Sequence, residues 1–69
     1  MTATRCGRDP REEPRPGDQV CVAGETREVA GLFDRRVQYS WPGKIAVRSL
    51  SMIEWRRWAS QGEVVEVAP

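Results

Sequence analysis

The chain has 69 residues, a formal net charge of +1, 30% charged residues and 7% aromatic ones. At this length it folds as one domain burying only about 60% of its unfolded surface, so one small core carries the stability. With two cysteines and no histidine, it lacks the ligand spacing of structural zinc sites and the His partner of most activated nucleophiles, so neither cofactor nor metal is expected.

No run is apolar and long enough for a signal peptide or a membrane span. The expected location is therefore the cytoplasm, with no membrane partner. A Cys6–Cys21 disulfide is not expected there, because the cytosol keeps thiols reduced.

The near-neutral total conceals an uneven distribution. From Asp9 to Asp34 there are seven acids against three arginines, and from Arg35 to Arg57 six basic residues against Glu54 alone. The chain has an acidic front and a basic middle.

Residues 1–16 are polar, charged and interrupted by Pro10, Pro14 and Pro16. They offer little apolar area to offset the entropy of ordering, and are expected to form a flexible arm ahead of a single domain at 17–69. Pro16-Gly17 turns the chain into short alternating strands. In "QVCVA", Val20 and Val22 share a face, and "GET" turns the chain back. "REVAGLF" places Val29, Gly31 and Phe33 on one side; its internal glycine marks a bulge or bend. Asp34-Arg35 makes the next turn. "RVQYSW" has Val37, Tyr39 and Trp41 on one face, and Pro42-Gly43 suits the centre of a type II turn. "KIAVRSL" pairs Ile45 with Val47 on one face and puts Arg48 on the other. "EVVEV" supplies a fifth strand.

Between the fourth and fifth strands, "SLSMIEWRRWAS" reads as a helix from about Met52 to Ser60. Ser51 and Glu54 have the spacing of a capping box, and Gly62 is placed to end the helix. At 100° per residue Met52, Trp55, Trp58 and Ala59 share one arc, with Arg56 and Arg57 on the far side and Ile53 as the misfit.

Strands in this order, with a short helix before the last, resemble the small SH3-like barrel over residues 17–68, including its Gly-Asp entry in "PGDQVCV". The chain also resembles small phage- and prophage-encoded proteins in "DPREEPRPGD", "TREV", "VQYSWPG" and "WRRWAS". The first resemblance implies a mainly β fold, a barrel of about five antiparallel strands with one helix at about 51–60. The second implies an accessory protein of an infected or lysogenic bacterial cell. Neither brings catalytic residues. The loops are tight, unlike the long acidic and aromatic loops of proline-peptide binders, so that mode is not expected.

Arg35, Arg36, Lys44, Arg48, Arg56, Arg57 and Trp58 form the candidate binding surface. Arginines near aromatics suit phosphates and stacked bases, with Tyr39 or Trp41 offering a face; the same arginines at turns and helix exteriors are equally a solvated surface, and the aromatics a core. Serines without histidine and no well-spaced pair of carboxylates exclude the common catalytic constellations. The expectation is a non-enzymatic binding module, monomeric or weakly dimeric. Its partner is another protein, reached through an edge strand or the helix, or alternatively a nucleic acid on the basic face.

Overall fold

The computed structural model describes residues 8–69. The elements, in chain order, are β1 (Gln19–Val22), β2 (Glu25–Phe33), β3 (Arg36–Ser40), β4 (Val47–Ser51), α1 (Met52–Ala59) and β5 (Glu63–Glu66). All five strands lie in one antiparallel sheet ordered β4-β3-β2-β1-β5. The fold is mainly β, with one short helix before the last strand, as the alternation implied. The sheet is not closed: β4 and β5 each have a single neighbour, and α1 packs across β1, β3 and β4.

Turn chemistry explains the meander. Ala23 and Gly24 both have positive φ (51° and 85°), and so do Asp34 and Arg35 (53° and 62°). Two-residue hairpin loops of type I′ require this, because their twist matches that of the strands. The first turn is therefore Ala23-Gly24, and Glu25 and Thr26 already belong to β2. Trp41 O accepts from Lys44 N at 2.8 Å with Gly43 at φ 83°, the geometry of the expected type II turn.

The core comprises Val20, Val29, Val37, Tyr39, Trp55 and Ala59, ringed by half-buried Val22, Trp41, Leu50, Met52 and Trp58. Two strand faces differ from their sequence reading. In β2 the ladder slips between Val29 and Gly31, leaving Ala30 as the extra residue. Beyond this bulge Leu32, opposite Val37, takes the core side, and Gly31 and Phe33 turn outward. In β4 the register sets Leu50 against Val37 and Arg48 against Tyr39. Directly opposed residues share a face, so Arg48 and Leu50 are on the core side. Val47 lies outward, 55% exposed, and Ile45 precedes the strand at 99% exposure.

The helix forms as its caps dictate. Glu54 N donates to Ser51 Oγ at 3.1 Å, and Ser51 N donates back to Glu54 Oε1 at 3.1 Å, a complete capping box. Trp55 and Ala59 are fully buried, Met52 and Trp58 half-buried, and Ile53 is exposed. Gly62 is required for a different reason from a positive φ: a Cβ there would stand 2.0 Å from Cys21 O. The link from helix to β5 passes directly against the β1 backbone.

The largest departure from expectation is the N-terminal arm. From Arg8 to Pro16 the chain is a docked strap; residues 1–7, Cys6 among them, lie outside the described residues. Asp9 nucleates a turn, its Oδ1 accepting from Arg11 N at 2.9 Å and its carbonyl from Glu12 N and Glu13 N. Pro10 and Pro14 are fully buried, and Pro10 O accepts from the Trp55 indole N–H at 3.0 Å. Arg8 is buried against fully buried Asp18, bonding both carboxylate oxygens. The same carboxylate accepts from Arg15 N at 2.7 Å and Ala68 N at 2.7 Å, and Arg8 also donates to Ala68 O and Glu13 O. Composition misleads because it counts apolar area alone. Prolines lose almost no side-chain entropy on burial, and a charge can be buried where its bonds are complete.

Candidate interaction surface

The seven residues singled out in the sequence do not converge on one patch. Arg35 sits in the β2–β3 turn, where its carbonyl accepts from Met52 N at 3.3 Å, and Arg36 opens β3 opposite Ser51. Arg57 lies at the same end: together with Arg36 it acts on the Glu54 carboxyl. Lys44 is at the other end of the β3–β4 hairpin, separated from Arg36 by the length of β3, about 3.3 Å per residue. Arg48 lies between these ends on the core side. Arg56 is engaged elsewhere, donating from Nε to Glu12 O at 2.9 Å.

Trp58 belongs to a stacked cluster centred on Arg27, which the sequence analysis did not single out. The Arg27 guanidinium stands 4.1 Å from the Trp58 ring centroid and 4.5 Å from that of Tyr39. Its Nε donates to Glu25 Oε2 at 2.8 Å, and the same oxygen accepts from Trp41 Nε1 at 2.8 Å. Tyr39 meets Trp41 edge-on at 5.5 Å, and Trp58 lies 5.3 Å from Trp55. The hydrogen bond from Arg27, and then that from Trp41, hold the Glu25 carboxyl below its ordinary pKa. Arg27 lies two residues before Val29 and so on the same face; that spacing was the available signal. Cation–π stacking of this kind stabilises by about 0.5–2 kcal/mol. Arg27 Nε and Trp41 Nε1 both bond Glu25 Oε2, and the Arg27 guanidinium covers the Tyr39 and Trp58 rings, which makes the cluster a support for Tyr39 and the helix rather than an open platform for a base.

The unsatisfied surface is elsewhere. Among the described residues β4 has no neighbour beyond β3, so the outward row of its backbone groups has no strand partner there. Ile45 and Val47, apolar and exposed, stand at its entrance, and Ile53 (67% exposed) follows its end. Lys44 and Arg48 are exposed, and Arg36 Nε donates to Ser49 Oγ at 3.2 Å, bringing a further guanidinium to this edge. Cys21, on the outer face opposite Thr26, carries a free thiol. Among the described residues, no helix is long and apolar enough to cross a membrane.

Comparison of the chain with protein-family models, with curated proteins and with solved structures finds no match. The functional reading is therefore built from the surface itself.

Proposed function

We propose that this chain is a non-enzymatic protein-interaction module, of the accessory kind suggested by its resemblance to small phage and prophage proteins, and that its partner docks along β4. The observation that carries this reading is an open strand edge with apolar Ile45 and Val47 held in solvent beside it. Exposed hydrophobic edges are what monomeric proteins ordinarily blunt, and what partners that add a strand exploit. The nucleic-acid reading has less support. It needs one continuous basic face with an open aromatic, whereas these cations are divided between two ends and Tyr39 and Trp55 are buried.

A photo-crosslinking amino acid placed at Val47, with Thr26 as control, tests the proposal in cells carrying the gene naturally. The expected result is one identified protein adduct from position 47, none from position 26, and its loss to excess unlabelled wild-type chain but not to an Ile45→Lys/Val47→Lys chain. Adducts with nucleic acid, or equal labelling from both positions, would overturn it.

A further inference from the structure

The charges and the alternation along β4 indicate what kind of segment it receives. Residues 35–53 contain Arg35, Arg36, Lys44 and Arg48 and no acid at all. Within β4, Arg48 faces the core side, while Val47 and Ser49 face outward opposite Ser40 and Gln38. A strand added beside β4 places alternate residues on these same two faces. It meets Arg48 on one face, and Val47 with the Arg36 guanidinium on the other. From this pattern we infer that the free edge of β4 takes up an extended acidic segment of a partner protein, alternating acidic and apolar residues, as a sixth strand. The inference rests on the protein-docking reading above and names the chemistry of its partner.

A second copy of this chain fits less well. Two β4 edges paired about a two-fold axis would bring together two edges that each carry Arg36, Lys44 and Arg48 and no acid, and like charges brought close across a ladder destabilise it. The acidic edge of a second copy is β5, with Glu63 and Glu66 exposed. Those residues pair with Cys21 and Gln19 and so lie on the outer face, whereas Arg48 lies on the core side. A sheet continued from β5 to β4 with its core faces aligned would leave Arg48 on the side away from these acids, with Arg36 alone on theirs.

The test titrates the isotope-labelled full chain with a blocked octapeptide of alternating Glu and Val, its Lys-Val counterpart, and a short deoxythymidine oligomer. The Glu-Val peptide is expected to shift the amides of Val47–Ser51, slow their hydrogen exchange about tenfold, and lose its effect as salt rises. The Lys-Val peptide should leave them unmoved. Arg48→Glu, a change at an exposed side chain, should reverse that preference. The inference is overturned if neither peptide reaches β4, if both act equally, or if Arg48→Glu changes nothing. It is equally overturned if the oligomer shifts the same amides more strongly, or if those amides respond to protein concentration alone. Should position 47 crosslink to a protein while the Glu-Val peptide fails, the docking reading stands and the acidic-strand inference falls.

Discussion

The strap at residues 8–16 and the β3–β4 hairpin are both rich in charge and poor in obvious core residues, yet the fold treats them in opposite ways. In the strap, charges meet charges. Arg8 closes on Asp18, Arg11 on Asp9, and Glu12 receives Arg56 at its carbonyl. In the hairpin, Lys44 and Arg48 form no salt bridge among the described residues, and Ile45 and Val47 are exposed. The difference teaches that charge density alone does not separate structure from surface. What separates them is whether the opposite charge is within reach, and here the acidic front serves folding while the basic middle remains available for contact.

The severest way to break this contrast is Asp18→Ala. It leaves the buried Arg8 guanidinium without its carboxylate and Arg15 N and Ala68 N without their acceptor. Removing one member of a buried pair costs about 3–5 kcal/mol, comparable to the whole stability of a domain this small. The variant should be largely unfolded at room temperature by circular dichroism. A folded Asp18→Ala chain would show that the strap is an ornament.

Acid sharpens the comparison with a smaller effect. The Asp9 carboxyl is held below its ordinary pKa chiefly by the Arg11 side chain, Glu25 by Arg27 and Trp41, and Glu54 by the Ser51 backbone N–H and then its hydroxyl. Each pKa is depressed in the folded state. The stability these groups contribute is therefore complete above the ordinary carboxylate range, about pH 4, and lost as pH falls through that range and below. The melting temperature should stay level from neutral pH to about 5 and then decline. Strap amides should lose exchange protection before those of the β3–β4 ladder, which contains no carboxylate and meets one only at the Ser51 amide, bonded to Glu54. The opposite order would contradict the assignment.

The smallest effect belongs to the hairpin. Ile45→Ser and Val47→Thr remove apolar groups that are already in water, and each should change unfolding free energy by less than about 0.5 kcal/mol. An unlabelled chain carrying the same pair of changes should fail to compete away the crosslink from position 47. Destabilisation beyond 1 kcal/mol in urea titrations (about twice the expected ceiling) would mean the hairpin packs rather than docks.

Much of this fold was legible because its causes are local. The period-2 runs gave all five strands, Pro42-Gly43 gave its turn, and Ser51 with Glu54 gave the helix start, each by contacts within a few residues. The bulge at Ala30 was half legible: the glycine announced a disturbance, but only pairing with β3 decides which residue is extra, and hence that Leu32 rather than Phe33 shares the face of Val37. The strap was illegible for a physical reason. Arg8 meets Ala68 across 60 residues and Trp55 meets Pro10 across 45, distances over which no periodicity speaks. For the candidate surface, the excess of cations was visible, but their division between two ends of a hairpin and the capture of Arg56 by the strap were not.

Those same separations govern when the structure can form. The two tight hairpins linking β1, β2 and β3 close loops of two residues, and short loops close fastest. The Arg8–Asp18–Ala68 junction instead joins the two extremities of the described chain. During synthesis the sheet can begin to pair while Asp18 still waits for its last donor, because Ala68 has not been made. If that junction closes after the folding transition state, breaking it should speed unfolding and leave the rate of folding almost untouched.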